Sequence, residues 1–147
     1  MMAMDHAWIE TRIPHRGAMN LLEQVLDWNP DAIRCQATSH RALDNPLRAH
    51  GRLGAACGVE YAAQAMALHG ALLNPLGAPP RLGYLTSVRA LESFVSRLDN
   101  IDAPLIIEAQ RQHADRNLVL YRFTLWADDR RLLCGRASVM LDAQLAS

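Results

Sequence analysis

The sequence predicts an α+β fold in which one long helix is wrapped by a curved antiparallel sheet. Three observations predict it. The stretch from Gly51 to Leu73, GRLGAACGVEYAAQAMALHGALL, contains no proline and from Ala55 on is rich in alanine, leucine and methionine, all strong helix formers. Its polar residues beyond Ala55 are Glu60, Tyr61, Gln64 and His69, so apolar side chains fall on nearly every face, and a helix of that kind belongs inside a core. The chain ahead of it reads as a strand hairpin, and the chain from Leu82 on reads as strands joined by turns. A hairpin, a buried helix and a run of strands make an α+β arrangement.

Each element follows from local signals. Residues Met1 to Thr11 form a weakly ordered lead, with one helical turn around Trp8 and Ile9. Pro14 and Gly17 punctuate the next segment. Leu22 to Trp28 reads as a strand, Asn29-Pro30-Asp31 as a turn, and Ala32 to Thr38 as a second strand with Ile33, Cys35 and Ala37 on one face. Arg41 to Leu53 is loop-like. The central helix spans 55–73; it is too short, and too interrupted by Glu60 and Gln64, to suit a bilayer. Asn74-Pro75 and Gly77-Ala78-Pro79-Pro80 end it and open a linker. Strands are expected over Leu82 to Phe94, Leu105 to Gln110, Leu118 to Ala127 and Leu132 to Leu141, with Asp128-Asp129 turning the last pair.

The bulk composition narrows the function. At 147 residues the expectation is one domain over 1–147, and half the residues are hydrophobic, enough to fill its core. The formal charge is zero, from fifteen acidic residues and fifteen arginines with no lysine, which argues against a nucleic-acid or anionic-membrane binder. Cys35, Cys57 and Cys134 are odd in number and far apart, as expected of free thiols in a reducing compartment. The start MMAMDHAWIE has neither a basic opening nor an apolar run of signal length, so the expected location is cytoplasmic.

Glu60 is the first candidate for chemistry. A carboxylate near the start of a buried helix must be paired, protonated or functional, and the functional reading is an acid/base group in a cleft. Gly51, Gly54 and Gly58 lead into the helix without a side-chain cap, leaving backbone N–H groups open to hold a developing oxyanion. His50 stands ten residues before Glu60, and His15 and His40 occupy other loops and compete for the role of general base. His69 lies on the helix and reads as a core or interface histidine. The histidine and cysteine spacing matches no metal site, and no nucleotide-binding or G-x-S-x-G pattern occurs.

The segment Ile13 to Asn29, IPHRGAMNLLEQVLDWN, resembles the LPHR-x-P-x-LLVDRV-type opening of bacterial 3-hydroxyacyl-acyl-carrier-protein dehydratases. GVEYAAQAMA is similar to their central helix, in which a Glu is followed four residues later by Gln, as Glu60 is by Gln64. Gly83-Tyr84-Leu85 with Ser87-Val88-Arg89 resembles their following strand. The family's H-F-P-G-x-P-x-x-P-G stretch is missing. Pro46 stands where its catalytic His would fall, and His50 matches only with a loop four residues shorter. Cys57 also replaces the helix-start proline. These departures resemble the dehydratase-like subunits of aryl-polyene-type lipid pathways.

The resemblance implies the hot-dog fold and a lyase that dehydrates a β-hydroxyacyl chain. The substrate would be carried as a phosphopantetheine thioester on acyl carrier protein, with no other cofactor. It implies a dimer, with itself or with another hot-dog protein, in which a His of one subunit works with a Glu of the other. The catalytic roles would fall to His50 and Glu60, with Gly58, Gln64 and His15 binding substrate. Two other readings stand beside it: a non-catalytic hot-dog partner subunit, suggested by the degraded His loop, and a hot-dog acyl thioesterase. An acyl tunnel would run past Ala62, Met66 and Leu85, and Arg48 and Arg52 would grip the acidic carrier.

Overall fold

The computed structural model describes residues 4–74 and 83–141. The expected linker through Pro80, the first residue of the strand expected from Leu82, and Met1 to Ala3 of the lead lie outside them. Six strands form one antiparallel sheet in the order β1-β2-β4-β5-β6-β3. They are β1 (Gln24–Asn29), β2 (Ala32–Ala37), β3 (Gly83–Ser93), β4 (Leu105–Ala114), β5 (Leu118–Ala127) and β6 (Arg130–Leu141). Two helices accompany them, α1 (His6–Glu10) and α2 (Gly58–Leu73). This is the hot-dog fold.

The β1–β2 turn forms because the Asn29 carboxamide accepts from the backbone N–H groups of Asp31 and Ala32 at 2.8 and 3.0 Å. Ile33, Cys35 and Ala37 then face the core and are fully buried, as their alternation predicts. The β5–β6 hairpin closes on Asp128 and Asp129, both at positive φ (47° and 64°), the conformation that a tight two-residue hairpin needs. The lead is better organised than its sequence suggests. The Asp5 carboxylate caps α1 by accepting from the Trp8 N–H at 3.0 Å, and Ile9 is fully buried.

Two expectations about the central helix change. Residues 55–57 form a 3₁₀ turn, and the α-helix proper begins at Gly58. The helix is also not enclosed on every side. Tyr61, Ala62, Ala65, Met66, Leu68 and His69 are buried, whereas Val59, Glu60, Ala63 and Ala67 are only half-buried and Gly70 is exposed. The sheet covers one broad face through β2, β4 and β5, and among the described residues no second sheet layer covers the other. Among the described residues, no helix is long and apolar enough to cross a membrane.

Candidate active site

Glu60 sits in the first turn of α2, and its side chain is 36% exposed. It is therefore accessible in the single chain, not sealed in the core. Its partner is His15, whose Nε2 lies 3.3 Å from Glu60 Oε1. The His15 side chain is 27% exposed overall, while its Nδ1 is buried and makes no hydrogen bond.

Gln64, one helical turn beyond Glu60, fixes this geometry. Its Oε1 accepts from the Leu21 N–H at 2.9 Å and its Nε2 donates to the Met19 carbonyl at 2.8 Å. The same Nε2 lies 3.5 Å from Glu60 Oε1. A fully buried amide thus clamps the Met19–Leu21 backbone onto α2 and ends beside the carboxylate. The segment carrying His15 is tied down from the other side as well. His6 Nε2 donates to the Asn20 carbonyl at 3.0 Å, Asn20 Nδ2 donates to the His6 carbonyl at 3.1 Å, and Arg16 donates to the Glu10 carbonyl. Gly17 turns the chain at a φ of +56°, a conformation that favours glycine.

The other predicted residues are placed elsewhere. His50 is exposed at a φ of +54° in a tight turn closed by paired Ala49–Arg52 backbone bonds of 2.9 and 3.1 Å. It lines a hollow of about 490 Å³ with Leu47, Ala49, Arg52, Gly54 and Cys57. Within one chain no hydrogen bond or ion pair joins it to Glu60. The Gly58 N–H is not free: it donates back to the Ala55 and Ala56 carbonyls of the 3₁₀ turn. The glycine instead serves packing, because a Cβ there would lie 2.7 Å from Leu133 Cδ2 and 2.9 Å from Leu125 Cδ2.

His40 and His69 are structural. His40 is fully buried and donates through Nε2 to the Ile101 carbonyl at 3.0 Å. His69, the expected core histidine, bonds Tyr121 Oη and the Asn29 carbonyl, each at 2.8 Å. Burial lowers both imidazoles below their ordinary pKa of 6.5. The three expected tunnel residues do not share one environment: Ala62 and Met66 are buried, while Leu85 is 41% exposed on the edge strand. Arg48 is consumed by its own loop, donating to the carbonyls of Ala42, Gly51 and Arg41, so it is not free to grip a partner.

Sequence reasoning placed His15 among the substrate-binding residues and did not pair it with Glu60. Pro14 and Gly17 bracket His15 and mark its segment as a turn. The separation of 45 residues between His15 and Glu60 concealed the pairing. The Gln64 clamp was missed for the same reason.

A family model described as ApeP dehydratase matches residues 7–147. The chain belongs to the ApeP-like dehydratase family. Among solved structures it is similar to the dehydratase heterocomplex ApeI:P from Xenorhabdus doucetiae, with a TM-score of 0.79 and 22% identity over 93% of this chain and 92% of that one. It is also similar to a variant thioesterase from Pseudomonas aeruginosa (TM-score 0.66, 13% identity, 93% of each chain). A thioesterase family protein from Silicibacter pomeroyi gives a TM-score of 0.66 at 15% identity, over 90% of this chain and 94% of that one. At these identities the likenesses speak for the fold. No curated protein matches in sequence. As a member of an ApeP-like family, the chain is a dehydratase-type enzyme.

Proposed function

We propose that this ApeP-like dehydratase removes water from a 3-hydroxyacyl thioester on acyl carrier protein, yielding the 2-enoyl thioester in a cytoplasmic aryl-polyene-type lipid pathway. The observation that carries the reading is the His15–Glu60 pair, 3.3 Å apart, half-exposed and braced by Gln64. In the reaction, unprotonated His15 Nε2 takes the C2 proton. The protonated Glu60 carboxyl passes a proton to the C3 hydroxyl, which leaves as water while the C2–C3 double bond forms. Return of the proton from Nε2 to Oε1 restores the starting state, and no further cofactor is required beyond the phosphopantetheine that carries the substrate.

The active unit is a pair of hot-dog chains. Supporting this, β3 is an edge strand with its large apolar residues uncovered: Tyr84 is 54% exposed, Leu85 41% and Leu91 44%. The similarity to a heterocomplex favours a different hot-dog protein as the partner.

The test is turnover of a 3-hydroxyacyl carrier-protein thioester, followed by the ultraviolet absorbance of the conjugated product, with this chain alone and with its hot-dog partner. Glu60→Gln and His15→Ala are each expected to lower kcat by about 10²-fold or more with the fold intact, the range for loss of an acid/base group. Full turnover by Glu60→Gln would refute the assignment. Loss in His50→Ala with activity retained in His15→Ala would transfer the base role to His50. Release of free thiol without enoyl product would favour the thioesterase reading, and an inactive chain that activates its partner the non-catalytic one.

A further inference from the structure

The outer face of the sheet carries a feature that the dehydration chemistry does not use. Strand register sets Arg122 of β5 directly opposite Arg136 of β6, and Arg136 directly opposite Arg89 of β3. All three are exposed, while their sequence neighbours Val88, Ala137, Tyr121 and Phe123 are partly or fully buried. At the usual strand spacing of about 4.8 Å, the row spans about 10 Å. Like charges directly opposite one another destabilise a sheet. Among the described residues none of the three side chains makes a hydrogen bond or ion pair, and the same holds for Arg111 and Arg130, whereas two other sheet arginines are partnered. Arg34 pairs with Asp27 at 3.2 Å, and the Arg131 guanidinium lies 4.7 Å over the Phe94 ring. The row continues into uncharged Gln110 and Ala32. On one side it is flanked by Ser87, Ser138 and Leu120, and on the other by Glu92, Cys134, Thr124 and Glu108. The whole chain carries no net charge, so the stripe is a local concentration and not a by-product of a basic protein.

We infer that Arg89, Arg136 and Arg122 form a docking stripe for an acidic helix on another protein, lying across the strands. A guanidinium fork matches a carboxylate bidentately. Carboxylates at i, i+3 and i+7 of a helix recur every 5–6 Å or so, close to the spacing of the stripe. The stripe is one row wide, and Glu92 and Glu108 beside it would repel a phosphate array or an anionic membrane extending past it. That narrowness favours a single helix over either polyanion.

The test uses the full chain and two synthetic helix-forming peptides, one with Glu at i, i+3 and i+7 and one with Gln at those positions, read by fluorescence anisotropy. The Glu peptide is expected to bind in a salt-sensitive manner and the Gln peptide not. Arg136→Gln should weaken binding about tenfold, as for loss of a charge-assisted contact, and leave dehydratase turnover unchanged. Arg136→Glu should bind a peptide with Lys at the three positions. Equal binding of the Glu and Gln peptides, or indifference to Arg136→Gln, would overturn the inference. So would tighter arginine-dependent binding to phosphatidylglycerol vesicles or duplex DNA. Thermal unfolding verifies each variant, with Arg122→Gln as the substitute should Arg136→Gln fail to fold.

Discussion

Glu60 Oε1 is where two side chains from different logical layers of the site meet. His15 approaches it from the loop after α1, and Gln64 approaches along α2 after using its amide to bind the backbone of that same loop. Under the proposed mechanism, Gln64 is a positioning residue as well as a structural one. Gln64→Ala would leave the Leu21 N–H and the Met19 carbonyl without their partner in a buried site, costing about 1–3 kcal/mol. It should also lower kcat, because His15 rides on the released segment. A denaturant melt and a turnover assay on the same preparation check both effects, and a stability loss with unchanged kcat would limit Gln64 to the structural role.

At the scale of elements, the site depends on how closely the start of α2 approaches the sheet. Gly58 sets that distance by lacking a Cβ, which would sit against Leu133 of β6 and Leu125 of β5. Gly58→Ala should force α2 outward or distort both leucines, destabilising by about 1–3 kcal/mol, the usual cost of overpacking. A lowered unfolding midpoint and weakened turnover together would show that helix docking and site geometry are linked. β3 shows a different kind of control. Its register shifts between Arg89 and Glu92, and Ala90 lies there at a φ of +53°, so the edge is kinked partway along. A second register shift lies between Leu85 and Ser87, so a strand partner added to that edge meets short regular stretches rather than the full length of β3.

The whole molecule is held by a largely aliphatic core in which two histidines are retained as neutral pins. His69 ties α2 to β5 and to the β1–β2 turn, and His40 ties its loop to the Ile101 carbonyl. Burial lowers both pKa values, so the folded protein binds protons less readily than the unfolded chain, in which each imidazole titrates near 6.5. The stability they contribute is complete above 6.5 and is lost as the pH falls from there toward the lower folded values. The urea midpoint should accordingly decline across that window in the native protein and decline less in His69→Gln. A midpoint that rises on acidification would contradict this account.

Local patterns in the sequence determined the elements. Alternation at Ile33, Cys35 and Ala37, the Asn29-Pro30-Asp31 turn and the alanine- and leucine-rich helix each act within a few residues, and they suffice to specify a hairpin, a helix and a sheet. Glu60 was legible as a candidate because a carboxylate in so apolar a helix is costly without a purpose. What the sequence could not convey was which histidine of the same chain lies beside it. His50 is nearer along the chain, but its tight turn carries it to a separate hollow, while His15 is brought to Glu60 by contacts from α1 and Gln64. The partial exposure of the helix was hidden for the same reason: hydropathy records that a face is apolar, not whether the same chain supplies the layer that covers it. Local propensity decides which elements form; only long-range packing decides which side chains meet.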